Sequence, residues 1–439
     1  MRNWCVKLGV IMLAAMALSA TAYAGSEPLE ATSEDGILVF ESPDGAFRWW
    51  FDARVYLDAA TYFDDAPLYD PDSGDYGDYQ DLAEMQNSLA GGFLLRRARF
   101  ALKTQIWNYW YGEIDLDFAE ESAAVKDAYM SYRGLFGGNG RIRVGNFRQP
   151  NGLEEVTTSR NLMFLERSQG TEPFVVGRRI GLEVTGWQPR YRWSASVFGA
   201  DVEDFFKEAN EQINFAARVN WTPIRTDEST LMVGGSATLQ KPTFIGEFEG
   251  EKDPSKVKLS TRPESNVSDT KFVYAGIKDV EKFNTFGGEL AYVNKRFMLQ
   301  GEYMAANIDR FGSDDPGDNR ESISYSGGYV YASFFLTDDM RHYDHKEAEF
   351  GRVVPKAESG AWEVAARYSV VDLNDADAEE QNGGSKSITL GVNYYPNPNV
   401  KLMLNYGIVD NDEFATGKDG QYFGNYDFNY LQMRFQTAF

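Results

Sequence analysis

Cysteine occurs once in this chain, as Cys5, and histidine twice, as His342 and His345. A single thiol within the first few residues leaves the rest of the chain without disulfides. Two histidines spaced three apart in H-Y-D-H offer too few ligands for a zinc site. They also show no pairing with a nucleophile of the kind a Ser-His-Asp device needs. No catalytic residue, metal ligand or cofactor is therefore expected, and both histidines read as surface polar residues. Also missing, beyond the first residues, is any apolar run approaching the roughly 20 residues of a membrane helix. Basic residues are in deficit as well: 43 Lys and Arg against 66 Asp and Glu give a net charge of −23. A disordered acidic chain would be poor in aromatics, yet these are 15% of the residues. The composition predicts a folded, aromatic-rich acidic protein, and nucleic acid is not an expected partner.

The first residues form a leader. Arg2 and Lys7 supply a positive region, Leu8 to Leu18 a short apolar run, and Ala22-Tyr23-Ala24 a small-residue cleavage site. The expected layout is a signal peptide over 1–24, a short periplasmic segment over 25–46 and a single folded body over 47–439. An exported chain without an apolar helix must cross any membrane with strands.

Period-two alternation supplies those strands, because successive strand side chains point to opposite faces. The last ten residues, Y-L-Q-M-R-F-Q-T-A-F, put Leu431, Met433, Phe435 and Phe439 on one face, with Gln432, Arg434 and Gln436 on the other. Near the start, Phe47, Trp49, Phe51, Val55 and Leu57 oppose Arg48, Asp52, Arg54 and Asp58. Segments of about ten residues with this pattern recur to the end of the chain, roughly sixteen in all, an even number as a bacterial barrel requires. Long connections (63–90, 150–177, 201–211, 241–283, 310–321, 373–385 and 410–428) mostly alternate with tight ones. The segment 337–360 is long but falls with the tight ones. Aromatics near strand ends, including Trp49, Trp110, Trp187, Trp221, Tyr394 and Tyr406, suit interfacial girdles. The expected fold is all-β: a transmembrane antiparallel β-barrel of about 16 strands, set in outer-membrane lipid.

A charge facing lipid at the bilayer centre costs about 2–4 kcal/mol, so the charged faces must line the lumen. Arg97, Arg99, Lys103, Arg141, Arg143 and Arg179 belong there. By the same phases the lumen holds fourteen basic and ten acidic residues, so most surplus acid lies in loops. The stretch 64–84 is an example; it lacks the ligand spacing of a known calcium loop and reads as solvated. A barrel of about sixteen strands is too wide for side chains alone to fill, so a water path is expected. The long loop 150–177 is the constriction candidate, bracketed by Arg148, Arg178 and Arg179 and carrying Arg160 and Arg167. Guanidinium groups present fork-shaped donors to oxyanions and never titrate.

Several stretches resemble the phosphate-selective porin O and P family. They include L-L-R-R-A-R-F (94–100), V-K-D-A-Y-M-S-Y-R-G (125–134), V-G-N-F-R-Q-P-N-G-L-E-E (144–155), F-L-E-R-S (164–168), G-R-R-I-G-L-E (177–183) and F-G-R-V-V-P-K (350–356). The resemblance implies a sixteen-stranded, trimeric outer-membrane porin with an inward-folded third loop and an arginine ladder that guides anions. It carries Arg97, Arg99, Asp117, Arg148, Arg167 and Arg179 over as pore residues. The expected activity is passive diffusion of small hydrophilic solutes, with preference for anions such as phosphate. A general or cation-preferring porin of the same fold is the first alternative. An outer-membrane adhesin or binding barrel without a conducting path is the second.

Overall fold

The computed structural model describes residues 29–439 apart from 35–36, 65–88, 90, 121, 200, 203–208, 211, 243, 246, 249–250, 253–255, 312–321 and 419–422. The leader and nearly all of the acidic stretch 64–84 lie outside the described residues.

Sixteen antiparallel strands form the wall. They are β1 (Phe47–Asp64), β2 (Gly92–Ile106), β3 (Trp110–Asp117), β4 (Ala124–Leu135), β5 (Gly140–Arg148), β6 (Arg178–Gln188), β7 (Tyr191–Phe198) and β8 (Asn214–Arg225). The second half comprises β9 (Ser229–Gln240), β10 (Val280–Asn294), β11 (Phe297–Arg310), β12 (Ile323–Phe335), β13 (Ala361–Asp375), β14 (Glu380–Asn397), β15 (Val400–Asn411) and β16 (Phe428–Ala438). Each pairs with its sequence neighbour, and β16 returns to β1 from Phe428↔Asp64 to Ala438↔Arg54. Phe439 extends the seam by exchanging backbone hydrogen bonds with Ala53. Closure gives every wall strand two partners, which is what a hydrocarbon surround demands of the backbone. No helix among the described residues is long and apolar enough to cross a membrane.

Burial follows the alternation. Leu57, Phe100, Val219, Tyr303, Ile388 and Met433 stand exposed on the outer face, while Arg54, Arg99, Arg218, Glu289 and Arg434 are buried within. Trp49, Trp110, Trp221, Tyr394 and Tyr406 share the parity of the outer set, and Trp362 stacks on Tyr394 at 4.4 Å there. Trp187 does not: it shares the parity of buried Glu183 and pairs with Arg192, which puts it on the lumen side.

One irregularity changes a side chain's fate. Tyr56 pairs with Arg97 and Leu57 with Leu95, so Arg96 is an extra residue in β2. Strict alternation would aim it at lipid. The bulge turns it inward instead, where Nε and Nη2 donate to Glu166 at 2.8 and 3.0 Å.

The connections correct the expected loop lengths in one place. The span 373–385 is no long loop, because β13 and β14 continue past it and leave only 376–379 between them. A separate hairpin, Glu30–Glu34 with Ile37–Glu41, precedes the wall and pairs with β1 through Val39↔Trp50.

The barrel is wide, and three segments enter it. The loop 150–177 reaches the far wall, where the Leu165 amide donates to Asn405 Oδ1 and Ser168 Oγ contacts Ser369 Oγ. The connection between β9 and β10 contributes a hairpin, Lys256–Thr261 with Val273–Lys278, whose Val257, Leu259, Ala275 and Ile277 pack with Phe174 of the loop. The segment 337–360 comes from the tight-turn end and places Phe350 beside Leu153, Met163 and Phe164. These apolar clusters pack against β9–β13, and a cavity lies along the opposite wall.

A glycine contact seats the loop. Gly170 lies so close to β12 that a Cβ would fall 2.1 Å from Gly328 O and 2.6 Å from Val370 O. Overpacking of this kind costs about 1–3 kcal/mol. Gly170→Val is expected to lift the loop from the wall and raise single-channel conductance in planar bilayers, without loss of barrel assembly on a cold gel.

Candidate functional site

A cavity of ≈ 300 Å³ lies against β1–β8. Strand alternation delivers most of its charged residues: Arg54 on β1, Lys103 on β2, Glu113 and Asp115 on β3, Asp127 and Arg133 on β4, and Arg141 and Arg143 on β5, while Arg148 at the end of β5 joins them out of phase. Arg178, Glu183, Arg192 and Arg218 continue the ring on β6–β8. Thr158 and Arg160 cover it from the loop 150–177, while Glu347 and Glu349 face it from the segment 337–360. Ten basic and six acidic side chains line this one cavity. The chain as a whole carries −23. Charges at such a low-dielectric constriction act at close range, whereas loop charges beyond about 8 Å are largely screened.

Most cations here are held in position by a partner. Arg54 Nη2 meets Asp52 at 2.8 Å, and Arg160 reaches the same carboxylate at 3.0 Å. Lys103 lies 3.3 Å from both Asp52 and Glu113. Arg178 binds Asp127 at 2.7 Å, Arg143 binds Glu183 at 3.1 Å, and Arg141 binds Glu347 at 2.6 Å. Arg133 lies over the Tyr111 ring at 3.7 Å, and Arg143 over Phe147 at 4.1 Å. Two arginines lean chiefly on backbone oxygens. Arg148 Nη1 donates to the Val156 and Thr157 carbonyls at 3.3 and 3.0 Å, with Glu155 at 3.4 Å. Arg192 Nε donates to Lys346 O at 2.9 Å and Nη1 to Ser194 Oγ at 3.3 Å. A guanidinium on a carbonyl keeps its full charge.

The carboxylates of Glu113, Asp115 and Asp127 bring oxygens within 4.8 Å of one another. Each has a cation beside it: Lys103, Arg99 at 3.6 Å, and Arg178. They form the acidic side of a mixed-charge wall.

Among the candidates from sequence, the structure gathers Lys103, Arg141, Arg143, Arg148, Arg160 and Arg178 around the cavity. Arg99 and Asp117 sit farther toward the long-loop end and bind each other at 2.9 Å. Arg97 is buried on β2, and its side-chain Nε has no hydrogen-bond partner among the described residues. Arg167 serves the loop itself, donating to the carbonyls of Glu154, Glu155 and Thr157 at 2.9–3.0 Å. Arg179 meets Asp201 at 3.1 Å beyond the strand end. Glu347 and Glu349 carry no periodic signal, lying in the one long connection at the tight-turn end, whose anomalous length was the only hint of them.

A closed barrel of sixteen antiparallel strands, apolar outside and charged around an open space within, is the architecture of an outer-membrane porin. The chain belongs to the phosphate-selective porin O and P family, whose description matches residues 73–439. It is 24% identical over 317 residues to an uncharacterized protein of Caulobacter vibrioides, a match covering 68% of this chain and 59% of that protein. Solved structures share the fold. The trimer form of OmpT from Vibrio cholerae gives TM-score 0.51 at 10% identity, covering 90% of this chain and all 100% of that one. An anion-selective porin from Comamonas acidovorans gives 0.51 at 12%, covering 90% and 100%. The outer membrane channel DcaP of Acinetobacter baumannii gives 0.52 at 11%, covering 91% and 99%.

Proposed function

We propose that this porin conducts small hydrophilic anions, phosphate among them, by passive diffusion through the cavity between β1–β8 and the loop 150–177. The excess of basic over acidic side chains around that one space carries the reading. An anion leaving water needs replacement hydrogen bonds, and several guanidiniums offer fork-shaped donors along one wall. Because most are tethered to carboxylates or carbonyls, the path stabilises an anion without trapping it, as conduction requires. Energy input and bond chemistry have no part in it. The long loops face outward and the tight turns face the periplasm, after removal of residues 1–24 as a signal peptide. The barrel assembles as a homotrimer in outer-membrane lipid; the trimer form of the Vibrio cholerae relative supports this.

The test is the reversal potential of the purified protein in a planar bilayer under a KCl gradient. A potential set by chloride supports the proposal, with phosphate then competing for the current. A potential set by potassium would assign the path to the carboxylates Glu113, Asp115 and Asp127 and overturn it. Absence of any conductance would leave the adhesin or binding barrel.

A further inference from the structure

The segment 337–360 does more than fill space, because it carries two carboxylates into the cavity. Glu347 Oε2 accepts from Arg141 Nη1 at 2.6 Å, with Arg133 at 3.7 Å. Among the described residues Glu349 has no arginine at bonding distance; Oε2 accepts the Thr158 amide of the loop 150–177 at 2.8 Å. Thr158 Oγ1 in turn accepts from Arg54 Nη1 at 3.2 Å. Next along the chain, the Phe350 carbonyl accepts from Asn161 Nδ2 at 2.9 Å. The tip of this segment is thus stitched to the loop at the edge of the cavity, with a carboxylate in the seam.

We propose that Glu349 is a titrating charge in the anion path, so that acidification of the periplasm neutralises it and strengthens the pore's preference for anions.

Other charged groups face Glu349 from every side. Glu347 is its neighbour on the same segment, Arg160 belongs to the loop, and Arg148 stands on β5. Glu155 of the short helix Leu153–Val156 is occupied by Arg148 and Arg167, at 3.4 and 3.2 Å. His345 is turned to the wall, where its Nε2 meets Gln188 O, and burial holds it below its ordinary range. Burial and the nearby Glu347 charge outweigh the arginines and the amide at Glu349, raising it to about 7. Glu347 is the opposite case, held far below the usual carboxylate range by Arg141 and Arg133. Two carboxylates on one segment therefore respond differently to the same pH. Above neutrality both are ionised. Below it Glu349 is neutral, and the cavity gains one positive charge.

This rests on the anion reading above. The experiment compares chloride and potassium permeability ratios in planar bilayers at about pH 5.5 and about pH 8.5 for wild type, Glu349→Gln and Glu347→Gln. The wild-type ratio should rise about twofold on acidification, the size of effect expected when one focused charge is removed. Glu349→Gln should show the high ratio at both pH values, since glutamine preserves the contact with the Thr158 amide. Glu347→Gln should raise the ratio at about pH 8.5 and move the pH response to lower pH, because the neighbouring charge that helps hold Glu349 up is gone. A wild-type ratio that favours chloride but stays flat with pH would overturn this inference and leave the anion path standing. So would a Glu349→Gln channel that titrates like wild type. A channel selective for potassium at both values would defeat the anion reading itself.

Discussion

Replacing Arg148 and Arg192 together with glutamate is expected to abolish the preference for anions. The two line one cavity with eight other basic and six acidic groups. Exchanging them for glutamates brings the signs to parity and removes the excess on which the proposed selectivity rests. They are the right pair because neither is the main partner of a carboxylate in the wall. Arg192 is held by Lys346 O and Ser194, and Arg148 chiefly by two carbonyls, so the change strands few acids. By contrast, truncating Arg143 would leave Glu183 short of a partner, and truncating Arg178 would do the same to Asp127. Those variants would mix loss of selectivity with loss of packing. The chloride-to-potassium permeability ratio should fall about tenfold, equivalent to about 1.4 kcal/mol, well within what a few focused charges supply. Changing Arg167 and Arg179 should matter far less, because one secures the loop's own backbone and the other meets Asp201 outside the cavity. An unchanged reversal potential in the double variant would refute the role given to the cavity.

The wall was legible from sequence because lipid and water impose opposite demands on alternate residues. Most of the sixteen strands contain a segment where apolar and polar or charged positions take turns, and the penalty for charge in lipid fixes which face is which. The same logic assigned Lys103, Arg141 and Arg143 to the lumen, and all three line the cavity. It fails where alternation itself breaks. Arg96 turns inward only because of a bulge whose trigger lies in the pairing of two strands, and no single strand reveals that. The plug was harder still. Loop 150–177 and segment 337–360 pack through residues such as Phe174 and Phe350, which lie outside any strand of the wall and follow no period, while the hairpin 256–278 alternates but is too short to show that it lies inside the barrel. Sequence marked the loop 150–177 as the constriction with Arg160 and Arg167 in it, but not which charges pair across the lumen, since the partners are more than a hundred residues away. Arg367 with Glu154 and Glu264, and Arg434 with Glu166, are such pairs.

Arg341→Ala is expected to release the segment 337–360 from the lumen. Arg341 anchors that segment at its base: Nε and Nη2 reach Glu363 on β13 at 3.2 and 2.7 Å, and Nη1 donates to Asn161 O of the loop at 2.9 Å. Nη2 also lies 2.6 Å from Tyr395 Oη, which itself donates to Glu363 at 2.7 Å. Both members of the ion pair are at most 2% exposed. Removing only the cation leaves a buried carboxylate with the Ser333 and Tyr395 hydroxyls and the Asn393 amide for company, at a cost of about 3–5 kcal/mol. The wall cannot yield, because β13 is paired on both sides, so the segment moves instead. Glu347 and Glu349 would leave with it, and the cavity would open toward the tight-turn end. Single-channel conductance should rise, and the pH response assigned to Glu349 should vanish, while the barrel still resists unfolding on a cold gel. Converting both partners, as in Arg341→Met with Glu363→Gln, should recover most of the loss, because no unpaired charge then remains. If the double variant were as open as Arg341→Ala, the ion pair would be incidental and the apolar contacts of Phe350 would be what holds the plug.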